Sequence, residues 1–132
     1  MLTSNRAKED AAIAWVLERE RGAGRVPRDT RYRGAPADVE SGDRLIEVKA
    51  FGQRARGDFL WLEPRQVQAA HDAPDRFFVY VVENVTQGDP RHFDLRVFGG
   101  ERLARLLRRA KERHYFEVSL PVAEYDSAPT DV

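Results

Sequence analysis

The chain has no cysteine, a single methionine and few lysines, and none of its 132 residues form an apolar run long enough to span a membrane. Without cysteine it can build neither a disulfide framework nor a thiolate metal site, which suits a reducing, cytoplasmic setting. Met1-Leu2-Thr3-Ser4-Asn5 lacks the form of a secretory signal. Net charge is also missing: 22 basic residues balance 22 acidic ones, so no global field draws in nucleic acid and any such binding rests on local patches. His71, His92 and His114 are too scattered for a zinc site. Neither a glycine-rich phosphate loop nor a nucleophile elbow is present, and there are no internal repeats. The length predicts one domain over residues 1–125, with 126–132 as a disordered tail.

What is present is a compact acidic and basic unit, Asp38-Val39-Glu40-Ser41-Gly42-Asp43-Arg44-Leu45-Ile46-Glu47-Val48-Lys49. It predicts two short strands joined by a turn. Alternation puts Leu45, Glu47 and Lys49 on one face and the apolar Ile46, Val48 and Ala50 on the other. With Ser41-Gly42 as a two-residue turn, Glu40 faces Asp43 and Asp38 faces Leu45. Asp38 then lies diagonal to Glu47 on the same face, roughly 7–8 Å away. Displacing the turn by one residue is expected to put Asp38 on the wrong face.

Two carboxylates and a lysine on one sheet face suit metal-dependent phosphodiester hydrolysis. Mg²⁺ prefers oxygen ligands, commonly one or two carboxylates with water and phosphate oxygens. It lowers the pKa of water and polarises a phosphoryl group, while a lysine such as Lys49 stabilises the charge that develops. Lys49 stands out because the only other lysines are Lys8 and Lys111, and an ammonium is a point charge where arginine is a fork. The same pattern also suits an ordinary wet face of a half-buried antiparallel strand.

The rest of the chain reads as alternating helix and strand. Ser4 or Asn5 caps a helix over 6–21, with Ala11, Ile13, Ala14, Trp15, Val16 and Leu17 inward. Glu9, Ile13, Val16 and Glu20 share a stripe, so Glu9 is either an inward acid near the cleft or a first-turn partner of the helix dipole. A short strand is expected over 25–29, and a helix over 63–73. Residues 76–83 read as a buried central strand, 92–98 as another strand, 101–112 as a helix and 115–120 as a last strand. Leu103, Leu106, Leu107 and Ala110 face inward on that last helix, and Arg102, Arg105, Arg108 and Arg109 form either a basic patch or a solvated face. The loop Gly52-Gln53-Arg54-Ala55-Arg56-Gly57 reads as flexible, with Arg54 and Arg56 placed to hold phosphates or simply solvated. Trp61 is expected in the core, with stacking on a base as the alternative.

An acid, then Ile-Glu-Val-Lys on a second strand, after a helix with its own acid, resembles the PD-(D/E)XK nuclease superfamily. More narrowly, residues 5–85 resemble the NO VEIN C-terminal family. The matching pieces are Glu9, Pro36-Ala37-Asp38-Val39, Leu45-Ile46-Glu47-Val48-Lys49-Ala50, Leu60-Trp61-Leu62-Glu63-Pro64-Arg65-Gln66 and Phe77-Phe78-Val79-Tyr80-Val81-Val82. The chain departs from the family at Pro36-Ala37, where Gly-Tyr is usual. It departs again at Ala50, in place of glycine, and at Gln66, in place of glutamate. A glutamine at this point also occurs at the cleft of related nucleases, so Gln66 is either a site residue or an exposed helical glutamine.

The resemblance implies an α/β, restriction-endonuclease-like fold: a mixed central sheet flanked by helices, with an α-β-β-β-α-β core. It implies a nuclease, acting on DNA with Mg²⁺ or Mn²⁺. Asp38 and Glu47 hold the metal, Lys49 assists catalysis, and Glu9 and Gln66 are auxiliaries. The alternative is a non-catalytic module that binds nucleic acid or protein within a larger DNA-processing or defence system. Such domains also work as homodimers or beside ATPases and modification enzymes.

Overall fold

The computed structural model describes residues 1–130. Ser4 holds the entering chain extended and its Oγ accepts the Ala7 N–H at 3.0 Å, which starts helix α1 over Asn5–Gly22. Gly24, at φ 84°, takes the left-handed turn beyond the helix end. The strands follow as β1 (Pro27–Asp29), β2 (Val39–Ser41), β3 (Arg44–Ala50), β4 (Phe77–Glu83) and β5 (Asp94–Gly99), with α2 (Pro64–Asp72) between β3 and β4. Helix α3 (Gly100–Arg108) comes after β5, and a short α4 spans Val122–Ser127.

The strands form one sheet in the order β1-β2-β3-β4-β5. β1, β2 and β3 run antiparallel, β3 and β4 are parallel, and β5 returns antiparallel. The parallel pair needs a crossover, which the segment carrying α2 supplies. This is the expected mixed α/β sheet flanked by helices, in the expected α-β-β-β-α-β order. One face packs Val39, Ile46, Val48, Tyr80 and Val82 against Ala12, Ile13 and Val16 of α1. The other packs Phe77, Val79 and Val81 against Ala70 of α2 and Leu103 of α3. β4 is therefore covered on both sides, which explains its near-continuous apolar run.

Several expectations are corrected. On α1, Ala12 is buried and Ala14 is exposed, because the inward stripe runs Ala12, Ile13, Val16 and Glu20. Helix α3 stops at Arg108, so Ala110 lies beyond it and is exposed. No strand forms over Tyr115 to Leu120: Tyr115, Phe116, Val118 and Leu120 are all largely exposed. Alternation marks a segment able to form a strand, but a strand exists only when a neighbour takes its hydrogen bonds, and none is placed beside this one. Of the segment 126–132, Asp126 and Ser127 close α4, and the last two residues lie outside the described residues, so the expected tail stands neither corrected nor borne out.

Candidate active site

The β2–β3 hairpin turns on Gly42-Asp43, one residue later than the sequence suggests. Gly42 sits at φ 61°, as the first position of a tight II′-type turn requires. Ser41 then pairs with Arg44, Glu40 with Leu45 and Val39 with Ile46. Moving a two-residue turn by one residue shifts the pairing by two, so every side chain keeps its face. Asp38 stays on the face of Glu47 and moves from a diagonal to the directly opposite position, next along from Val39 and Ile46.

Asp38 is held in place at three points. Its carbonyl accepts the Thr30 N–H at 2.8 Å, and the Thr30 hydroxyl donates to the Ala37 carbonyl at 2.8 Å. These bonds close the neck of the 31–37 loop. The carboxylate Oδ2 accepts the Val48 N–H at 3.0 Å, so Asp38 is tied to the peptide joining the next two residues of β3. Burial, followed by the nearby charge of Glu9, pushes the Asp38 carboxyl up, against the pull of the Val48 N–H.

Glu47 is 4% exposed. Burial first, and the charge of Asp38 second, push it up to about 7, while Lys49 and Gln66 favour its charged form. Lys49 Nζ lies 3.1 Å from Oε2. The other oxygen, Oε1, is buried and has no hydrogen-bond partner among the described residues. A carboxylate oxygen without a donor in an apolar setting is costly, so the arrangement has a use for a cation there.

Gln66 is brought to the same place by the start of α2. Its Oε1 accepts the Glu63 N–H at 2.9 Å in a capping box, and it lines the cleft beside Glu47. It is buried, which sets aside the exposed-glutamine alternative. Glu9, Asp38, Glu47 and Gln66 line one cleft of about 260 Å³. Glu9 is not in the first turn of α1, which has no acid. It meets Arg31 at 3.5 Å instead. No group of three or more His, Cys, Asp or Glu residues among the described residues stands close enough to hold a metal ion, while Glu9 lines the same cleft as the acid pair. Two carboxylates with one open oxygen still fit Mg²⁺, which keeps most of its water.

The loop after β3 is pinned. Asn84, Val85 and Thr86 donate their N–H groups to the carbonyls of Gln53, Phe51 and Gly52 at 3.2, 3.1 and 3.2 Å. Buried Glu83 accepts the Ala55 N–H at 2.7 Å. Arg54 is engaged by Asp94 at 2.6 Å and Glu83 at 3.5 Å, with its side chain still more than half exposed. Arg56 is exposed and makes no ion pair among the described residues. Trp61, expected in the core, is 66% exposed.

Sequence reasoning missed Arg31, which bonds Asp29 at 2.8 Å and Asp10 at 2.8 Å on the cleft rim. It also missed the Thr30 clamp. The Thr30 clamp closes within eight residues and Arg31 pairs both with nearby Asp29 and with Asp10 on α1, contacts that no periodicity marks. Arg65, one residue before Gln66 on the first turn of α2, also lines the cleft.

Fold and site together define a small mixed α/β domain with an acid pair, Glu47 buried and Asp38 half-buried, and a lysine at one end of a hairpin. Residues 8–98 match the model of the family described as "Protein NO VEIN, C-terminal", and the chain belongs to that family. No curated protein and no solved structure matches it. The matched stretch contains Glu9, Asp38, Glu47, Lys49 and Gln66, and ends before α3.

Proposed function

We propose that the chain is a metal-dependent nuclease of the PD-(D/E)XK type that hydrolyses phosphodiester bonds, with DNA as the substrate. The observation that carries this is Glu47: one oxygen paired with Lys49, the other buried without a donor, and Asp38 opposite. Asp38 and Glu47 are the residues to hold Mg²⁺ or Mn²⁺. When bound, such an ion supplies an activated water and polarises the phosphoryl group.

The chain's own residues have distinct parts. Asp38, fixed by Val48 N–H, and Glu47 concentrate negative charge in one cleft, which Gln66 also lines. Lys49 keeps a cation beside Glu47, where it can stabilise an attacking hydroxide or the charge developing on phosphorus. The first turn of α2 lines the cleft, so the positive end of that helix also faces the anions.

One observation favours a second reading, a nucleic-acid-binding or protein-binding module that does not cut. No group of three or more His, Cys, Asp or Glu residues among the described residues is placed to hold a metal ion. The test is cleavage of supercoiled, linear, single-stranded and branched DNA, and of RNA, with Mg²⁺ or Mn²⁺. Metal-dependent cutting that is lost in a folded Lys49→Ala protein supports the nuclease. Salt-sensitive binding without cutting, unchanged in Lys49→Ala, overturns it in favour of the module.

A further inference from the structure

On the far side of Lys49 lies a second hollow, of about 330 Å³, lined by Lys49, Asp58, Phe59 and Trp61. Its walls follow from a short extended segment. Leu60 and Leu62 pack into the core beneath α2 and α3, so the alternate residues Phe59 and Trp61 point outward, 75% and 66% exposed. The root of this segment is fixed by the bonds from residues 83–86 described above and by Asp58 N–H to the Ala55 carbonyl at 2.9 Å. Two large rings are therefore presented to solvent by an anchored loop.

The neighbouring charges point to the occupant. Lys49 lines this hollow and lies 3.1 Å from Glu47, which lines the other cleft. Arg56 is exposed in the same loop and makes no ion pair among the described residues. Asp58 is the one acid lining the hollow, and it accepts the Phe59 N–H at 2.8 Å. Aromatic faces beside cations match a base attached to a phosphate, because every base offers a π-face and stacking tolerates any sequence.

We propose that Trp61, flanked by Phe59, is a stacking platform for an unpaired base, so that the strand served by the Glu47–Lys49 site is single-stranded or locally opened. This rests on the nuclease reading for the phosphate at Lys49. In a duplex the base faces are already occupied by their neighbours, so a paired strand reaches the platform only after opening.

The test uses intrinsic fluorescence, since the chain has two tryptophans. Trp15 packs edge-on against Phe93 at 5.7 Å on the opposite face of the sheet, so it serves as an internal control. Short oligodeoxythymidine, oligouridine and a blunt hairpin duplex are titrated in low salt with EDTA, beside Trp61→Ala and Trp61→Phe. The expected result is saturable quenching by at least one single strand, absent in Trp61→Ala. By the anisotropy of a dye-labelled oligonucleotide, affinity falls roughly tenfold in Trp61→Ala and stays within about threefold in Trp61→Phe, as base stacking on an aromatic side chain predicts. The better of the two single strands identifies the sugar.

Equal binding of the duplex, or single-strand binding unchanged in Trp61→Ala, overturns the platform. Self-association lost in Trp61→Ala, with no quenching by any oligonucleotide, overturns it in favour of a protein interface. Cutting without quenching removes the platform and leaves the nuclease reading standing. Quenching without metal-dependent cutting removes the nuclease reading and leaves the platform.

Discussion

Lys49 holds Oε2 of Glu47 at 3.1 Å, while Oε1 of the same carboxylate lies buried without a hydrogen-bond donor among the described residues. The two oxygens thus have opposite circumstances within one side chain. That asymmetry gives the carboxylate a charge-stabilising side and an open side, and the first predictions concern it.

Glu47 should act against stability at neutral pH. Its folded pKa of about 7 lies above the ordinary 4.5, so the folded chain keeps this proton to a higher pH than the unfolded one. Stability from this group therefore falls as pH rises from about 4.5 to about 7 and stays low above that, by on the order of 3 kcal/mol. Glu47→Gln should be more stable than the parent at pH 8 and nearly equal at pH 4, measured by urea unfolding, and should show no cleavage. A variant less stable at pH 8 would contradict the burial argument.

Lys49 should tune that titration as well as support catalysis. Lys49 lowers the Glu47 pKa, so Lys49→Met should raise it further, visible in the carboxyl carbon shift of Glu47. Cleavage should fall by about 100-fold or more with the fold retained. An unshifted Glu47 signal would mean that the ion pair is not maintained in solution.

Divalent metal should stabilise the folded chain most where Glu47 is ionised. Binding to the folded state alone adds about 2.7 kcal/mol when the metal is a hundredfold above its Kd. Mg²⁺ should raise the melting temperature at pH 8, do so less at pH 5, and have no effect in Asp38→Asn/Glu47→Gln. Equal stabilisation of the double variant would place the metal elsewhere.

A second buried acid, Glu20, should behave in the opposite sense. Glu20 receives Arg25 through two bonds of 2.6 and 2.9 Å and the Tyr80 hydroxyl at 3.1 Å. Burial alone would raise its pKa, but Arg25, Ser41 and Tyr80 together hold it below the usual value. Its contribution is present above the unfolded carboxylate range and lost as pH falls through the folded pKa. Arg25→Ala should cost about 3 kcal/mol at pH 7 and leave cleavage unchanged, since the network lies on the α1 side of the sheet. A catalytic defect at equal folded fraction would show coupling between the two faces.

The order of elements was legible because burial leaves periodic marks. The stripe through Ile13, Val16 and Glu20 and the run from Phe77 to Glu83 each report the neighbour that covers them. The acid pair was legible for a similar reason: alternation fixes faces, and faces survive a two-residue shift in pairing. What could not be read was decided by distant partners. Trp61 is apolar in sequence, yet it is outward because Leu60 and Leu62 take the inward positions. Arg54 reads as a loop residue in sequence, and its ion-pair partners Asp94 and Glu83 lie far along the chain. The alternation from Tyr115 to Leu120 signalled a strand that no neighbour completes.

The anchored root of the loop after β3 sets where substitution is tolerated. Its backbone is fastened to the turn after β4 at Phe51, Gly52 and Gln53, and a side chain at Gly52 would collide with Thr86. Beyond that root, Asp58, Phe59 and Trp61 are exposed and support little of the core. Substitution of these rim residues should therefore cost the fold little while the acid pair and its lysine stay in place.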